Sequence, residues 1–91
     1  MDIPEELRPN PIVRKFKNLL DSGKCIVSVS CDSEADKQEV TFHYKDGGRY
    51  DLRLKDADSG EFNGWMTEYN LFSQHYLTKE HGCYRVSEKP V

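Results

Sequence analysis

Apolar residues recur at two different spacings along this chain, and the spacings divide it into helices and strands. Between residues 11 and 22 they recur at the three- and four-residue spacing of an amphipathic helix. Asn10 and Pro11 are favoured residues for the N-cap and the first position of a helix, and Gly23 is a typical stop. The pattern therefore predicts a first helix whose apolar side carries Ile12, Val13, Phe16, Leu19 and Leu20.

From Cys25 onward the apolar spacing changes to two, which is typical of strands with one buried face. Three such segments follow one another, separated by polar turns. They predict a three-stranded antiparallel meander that helices cover on one face. The predicted inner-face residues are Cys25, Val27, Val29 and Cys31 in the first strand, Val40, Phe42 and Tyr44 in the second, and Tyr50, Leu52 and Leu54 in the third.

The hairpin between the second and third strands can be predicted in register, because directly opposed residues of an antiparallel pair share a face. A three-residue loop at 46–48, with Gly48 left-handed, keeps the apolar residues of both strands together. The predicted opposed pairs are Val40 with Leu54, Phe42 with Leu52 and Tyr44 with Tyr50 on the inner face, and Thr41 with Arg53 and His43 with Asp51 on the outer face.

The stretch EFNGWMTEYNLFSQHYL, residues 61–77, holds half of the aromatic residues of the chain. It predicts a second helix that begins after a cap at Asn63 and runs to about His81, with Gly82 ending it. One stripe of this helix carries Trp65, Tyr69, Phe72 and Tyr76. Because apolar character also reaches Leu71 and His75 on another side, we expect that side to meet a partner.

The whole pattern predicts a single α+β domain in the order α-β-β-β-α, with a short final strand at 83–87. Residues 1–10 are predicted to form an extended arm, 11–88 the domain and 89–91 a tail. This order resembles that of the double-stranded RNA-binding domain. The resemblance implies a cluster of lysines at the start of the second helix, where this chain has Ser59-Gly60-Glu61-Phe62-Asn63. Nucleic-acid binding is therefore disfavoured.

Charge and composition set limits on the class of protein. The 91 residues carry 13 basic and 16 acidic side chains, a net charge of −3 that is too balanced for a typical nucleic-acid binder. No apolar run is long enough for a membrane span or a signal segment. Three cysteines form an odd number without the spacing of a disulfide framework. These observations predict a cytoplasmic protein with no membrane partner.

No pattern in the sequence indicates a catalytic, cofactor or metal site. His75, His81 and Cys83, with Cys31, lack the close ligand pair of a zinc site. The acidic stretch at 56–60 lacks the glycine and glutamate positions of a calcium loop. We therefore expect a protein that is not an enzyme and that needs no cofactor or metal.

Three functions remain compatible with the sequence. The first is a small intracellular protein-binding module, an inhibitor of the immunity or phage counter-defence type, that occludes a partner protein. The second is a nucleic-acid binder that uses a basic surface. The third is a small oligomeric protein, such as a homodimer, that sequesters a ligand. The predicted partner-binding residues are Trp65, Tyr69, Leu71 and His75 with an acidic rim of Asp56, Asp58 and Glu61, and the alternative basic surface is Arg14, Lys15, Lys17, Arg53 and Lys55.

Overall fold

The computed structural model of the protein describes residues 3–32, 34, 38–55 and 57–87. Strands β1, β2 and β3 form an antiparallel sheet in that order, and β4 and β5 form a separate hairpin. The predicted α+β domain, with a helix, a three-stranded meander and a long helix, is confirmed. The elements are a short 3-10 helix (Glu5–Leu7), α1 (Pro11–Asp21), β1 (Ile26–Asp32), β2 (Glu39–Tyr44), β3 (Arg49–Arg53), α2 (Ser59–Tyr76), β4 (Leu77–Glu80) and β5 (Cys83–Val86).

Helix α1 begins as predicted, with Asn10 as its N-cap. The side-chain oxygen of Asn10 accepts hydrogen bonds from the backbone N–H groups of Ile12 at 2.9 Å and Val13 at 3.2 Å. Its Nδ2 donates to the carbonyl oxygen of Trp65 in α2 at 3.0 Å, a contact that the sequence did not predict. Asn10 is only 2% exposed, so this one side chain joins the two helices inside the protein.

The core lies between the two helices and the inner face of the sheet, around Phe16. The Phe16 ring centroid lies 6.0 Å from that of Phe42 on β2 and 5.9 Å from that of Tyr84 on β5. It also lies 6.2 Å from Tyr69 and 6.3 Å from Phe72 on α2. One side chain of α1 thus contacts the sheet, the second helix and the final hairpin.

The N-terminal arm contributes to this core. Residues 5–7 form a single 3-10 turn, and Ile3 is 4% exposed within the core cluster. Part of the predicted arm is therefore packed onto the domain. The predicted tail at 89–91 lies outside the described residues.

The predicted register of the β2–β3 hairpin is wrong by two residues. The loop occupies 45–47, and Gly47, with φ of 93°, is the left-handed residue instead of Gly48. Since a two-residue shift keeps every side chain on the same face, alternation could not separate the two registers. Asp46 stabilises the observed turn by accepting from the N–H of Gly48 at 2.8 Å. The observed opposed pairs are Glu39 with Arg53, Val40 with Leu52, Thr41 with Asp51, Phe42 with Tyr50 and His43 with Arg49.

Strand β1 contains a bulge that the alternating pattern did not predict. The register shifts between Ile26 and Ser28, so the residues that face inward change parity at this point. Ile26 is fully buried, whereas Cys31 at the far end of the strand is exposed. Beyond the bulge, Val29 and Cys31 lie opposite the inner-face residues Phe42 and Val40, so the predicted inner face is confirmed for these two residues. It is wrong at the start of the strand, where Ile26 is the buried residue in place of Val27, and Cys25 precedes the strand.

Both predicted ends of the second helix are corrected by the structure. The N-cap is Asp58, whose side chain accepts from the N–H of Glu61 at 2.7 Å, and the helix begins at Ser59 rather than after Asn63. The helix ends at Tyr76, because the next residues pair as β4 with β5. The connecting residues His81 and Gly82 both have positive φ, as in a two-residue hairpin turn.

A disulfide links the residue just before β1 to the start of β5. Cys25 and Cys83 are bonded, with their Cα atoms 5.1 Å apart and 58 positions apart in sequence. The number and spacing of the cysteines did not predict this bond. Partial burial raises the pKa of the remaining thiol, Cys31, and the nearby Asp32 carboxylate raises it to a smaller extent.

Over the part of the chain that the structure describes, no helix has the length and apolar character to cross a membrane.

Replacing both Cys25 and Cys83 by serine is expected to lower the free energy of unfolding by about 2–4 kcal/mol, because the bond closes a long loop in the unfolded chain. Urea unfolding of the oxidised protein and the double variant measures the difference. Cys31→Ser is the matched control and should change stability by less than about 0.5 kcal/mol. Equal effects of the two changes would contradict the proposed role of the bond.

Asn10→Ala is expected to cost about 2 kcal/mol of unfolding free energy, since it removes a cap and leaves buried N–H groups without a partner. The control is Asn18→Ala, at an exposed position of the same helix. Thermal and urea unfolding compare the two variants. A cost for Asn10→Ala no larger than that of Asn18→Ala would show that the buried amide does not stabilise the helix pair.

Candidate functional site

A cleft of about 360 Å³ opens between the N-terminal arm, α1, α2 and the segment that follows β3. Its walls come from distant parts of the chain, so no short sequence motif describes it. It combines apolar residues, an indole ring and charged side chains. The lining residues are Pro9, Pro11, Arg14, Arg53, Leu54, Lys55, Ala57, Glu61 and Trp65.

Asn10 holds two walls of the cleft in place. It lies between Pro9 and Pro11, which line one side, and it bonds to the backbone of Trp65 on the other side. The two proline rings fix their own φ angles, so this wall has little freedom to move. The buried cap therefore positions the cleft as well as the helix.

The charges in the cleft are mainly positive and only partly neutralised. Arg14 and Lys55 are exposed and have no ion-pair partner among the described residues. Arg53 is paired across the sheet with Glu39, with its Nε 3.1 Å from the carboxylate. Among the lining residues that the structure describes, Glu61 is the single acidic one. The cleft is thus a locally cationic site on a chain whose net charge is −3.

Trp65 supplies the aromatic surface of the cleft. It is the single tryptophan of the chain and is half-buried, so part of the indole contacts the core and part faces the cleft. Tryptophan and arginine are the side chains most often found at the energetic centre of protein interfaces. An indole beside free cations suits a ligand with both apolar and anionic groups.

The predicted partner-binding residues are not gathered on one surface. Trp65 and Glu61 line the cleft, but Tyr69 is 5% exposed in the core, and burial raises the pKa of its hydroxyl. Leu71, at 51% exposure, and His75 lie on another side of α2.

The predicted acidic rim is also divided. Glu61 faces the cleft, whereas Asp58 is engaged as the cap of α2. Asp56 lies outside the described residues. Glu61 is therefore the one predicted rim residue that the structure places in the cleft.

The alternative basic surface is divided in a similar way. Arg14, Arg53 and Lys55 meet in the cleft. Lys15 lies over the ring of Tyr50 at 4.1 Å, and Lys17 pairs with Asp21 at 2.7 Å. Residues from both predicted surfaces thus meet in the cleft. They lie far apart in the sequence, and only the path of the chain from β3 to α2 brings them together.

A second groove of about 470 Å³ lies beside the disulfide, but its charged residues are already engaged. Lys24 lies over the ring of Tyr44 at 5.2 Å, Arg85 pairs with Glu80, and the Asp21 carboxylate accepts from Lys17. The hydrogen bond from Lys17 lowers the pKa of Asp21. This groove therefore offers a ligand fewer free polar groups than the cleft does.

The outer face of the sheet carries a contact between Ser30 of β1 and His43 of β2 that was not predicted from the sequence. Ser30 Oγ and His43 Nε2 lie 2.8 Å apart. His43 is opposite Arg49, and Asp51 accepts from Thr41 instead of orienting the imidazole. The contact is solvent-exposed on an open sheet face, so we interpret it as a surface hydrogen bond. Among the described residues, no cluster of histidine, cysteine and acidic side chains could hold a metal ion.

The cleft is thus the place where the structure concentrates uncommitted aromatic and charged groups. Comparison of the chain with family models, with curated proteins and with solved structures finds no significant match. The chemistry of the cleft is therefore the basis for a functional proposal.

The cationic character of the cleft predicts that Trp65 fluorescence is quenched more strongly by iodide than by caesium. The Stern–Volmer constant for iodide should exceed that for caesium by about twofold or more, because the local potential concentrates anions. Arg14→Glu with Lys55→Glu should remove or reverse the difference. Lys45→Glu with Lys79→Glu, outside the cleft, is the charge-matched control and should preserve it. Equal quenching in the unmodified protein would contradict the cationic cleft.

Proposed function

We propose that this chain is a small protein-binding module of the inhibitor or immunity and counter-defence type, which occludes a partner through the cleft. The observation that carries the proposal is the half-buried Trp65, which lines the same cleft as the exposed cations Arg14 and Lys55. Such anchors, partly desolvated and surrounded by apolar walls, are typical of the centre of a protein interface.

The residues of the cleft favour binding over catalysis. The described residues of its lining include no serine, cysteine or histidine, and Glu61 is the single carboxylate among them. Acid–base or nucleophilic catalysis needs such groups within hydrogen-bond reach of one another. We therefore propose a protein that acts by occupying its partner.

The alternative functions receive less support from the geometry. A nucleic-acid binder needs a continuous basic track, whereas Lys17, Arg49 and Arg85 are each paired with an acidic residue. A homodimer needs a broad apolar patch, whereas Leu71 and Tyr50 are the large apolar residues exposed in the described chain. They lie on α2 and on β3 respectively.

The compartment in which the protein works is part of the proposal. The cytoplasmic location predicted from the sequence stays a prediction, and the Cys25–Cys83 bond is the observation that weighs against it. Disulfides persist mainly in oxidising environments, because cytosolic reductants keep thiols reduced. We therefore infer that the protein works in an oxidising compartment or outside the cell.

Site-specific photo-crosslinking tests the proposed function. A benzoylphenylalanine at Pro9, in the exposed wall of the cleft, should crosslink one discrete protein in an extract of the source organism or its host. The same group at Gln74, exposed on the far side of α2, is the control and should capture nothing specific. Excess unlabelled protein should compete, and the variant with Arg14→Glu and Lys55→Glu should not.

The captured protein must then bind when purified. We expect Trp65→Ala to weaken binding by about 2 kcal/mol in calorimetry, as for an interface anchor. Equal labelling from Pro9 and Gln74, or no labelling from Pro9, would refute the cleft as a protein-binding site.

A further inference from the structure

We propose that the cleft recognises an acidic segment of its partner, with an apolar side chain of that segment packed on Trp65. This inference rests on the proposed protein-binding function and names the chemistry of the ligand. Its basis is the charge and shape of the cleft.

The free cations define the charge of the ligand. Arg14 on α1 and Lys55 after β3 approach the cleft from different elements, and neither has an acidic partner within the described chain. Several basic groups outside the cleft are neutralised, as in Lys17 with Asp21 and Arg85 with Glu80, whereas Lys15 and Lys24 lie over tyrosine rings. Two unpaired cations beside one cleft leave a positive potential that carboxylates of a ligand would neutralise.

The apolar walls define the rest of the ligand. Pro9, Pro11, Leu54 and Ala57 line the same space as the indole of Trp65. A purely ionic ligand would leave this surface in contact with water, whereas a segment with a phenylalanine or leucine would cover it and gain hydrophobic free energy. The complementary sequence is therefore acidic residues around one apolar anchor.

Glu61 favours a peptide over a nucleic acid as the occupant. Its carboxylate lies in the lining, where it would repel the evenly spaced phosphates of a strand. A peptide can place a neutral residue or a backbone N–H group at this point and its carboxylates elsewhere. Glu61 therefore restricts where a bound peptide can place its carboxylates, in addition to its predicted role as an acidic rim residue.

Peptide titrations monitored by Trp65 fluorescence test this inference, because the single tryptophan lies in the cleft itself. The probe is acetyl-EEFEE-amide, compared with acetyl-KKFKK-amide and acetyl-EEGEE-amide. We expect a saturable change with EEFEE that is at least about tenfold weaker for the other two, since each lacks one of the two required features. Added salt should weaken the EEFEE interaction.

Variants assign the effect to named residues. Arg14→Glu with Lys55→Glu should abolish the response to EEFEE, whereas Lys45→Glu with Lys79→Glu should retain it. Glu61→Gln should tighten binding by about two- to fivefold, since it removes one like charge near the ligand. Circular dichroism and urea unfolding of each variant confirm that the fold is intact.

The outcomes separate this inference from the proposed function. No saturable response to EEFEE, or an equal response to KKFKK, would overturn the acidic-segment inference even if Pro9 crosslinks a protein. A stronger response to single-stranded oligothymidylate than to EEFEE would overturn it in favour of nucleic acid. Failure of both the peptides and the crosslinking would remove the protein-binding function as well.

Discussion

The buried amide of Asn10 is the interaction on which the arrangement of the helices and the cleft depends. Its oxygen satisfies two N–H groups at the start of α1, and its nitrogen donates to the Trp65 carbonyl in α2. Aspartate could cap the helix but could not donate to α2, and serine is too short to do both. One side chain thus fixes a helix start, a helix–helix contact and the position of the indole.

The last hairpin depends on a different pair of constraints. Tyr84 of β5 packs against the Phe16 ring, and the Cys25–Cys83 bond ties the start of β5 to the segment that precedes β1. The hairpin has only two strands, and such a hairpin is at best marginally stable alone. The packing of Tyr84 and the covalent bond together hold the hairpin against the domain, where it covers part of the core.

The sequence predicted those features that are set by local periodicity. The Asn10 cap, α1, the three strands and the aromatic stripe of α2 follow from patterns within a few residues. The register of β2 with β3 did not, because shifts of two residues are equivalent for alternation and the turn decides between them. The helix end at Tyr76 was also missed, since tertiary pairing of β4 with β5 overrides the helical pattern. Cys25 and Cys83 are too distant in sequence for their spacing to indicate a bond.

The residues of the cleft were predicted from the sequence only as members of two separate surfaces. Trp65 and Glu61 were assigned to one surface, and Arg14 and Lys55 to another, because their charges and positions in the chain differ. The fold brings these four residues to one cleft, where the opposite charges and the indole can act on the same ligand. A ligand that satisfies both cations must also avoid Glu61, so the cleft selects by the spacing of charge around an apolar anchor. Selectivity of this kind requires a rigid frame, which the proline-flanked Asn10 cap supplies.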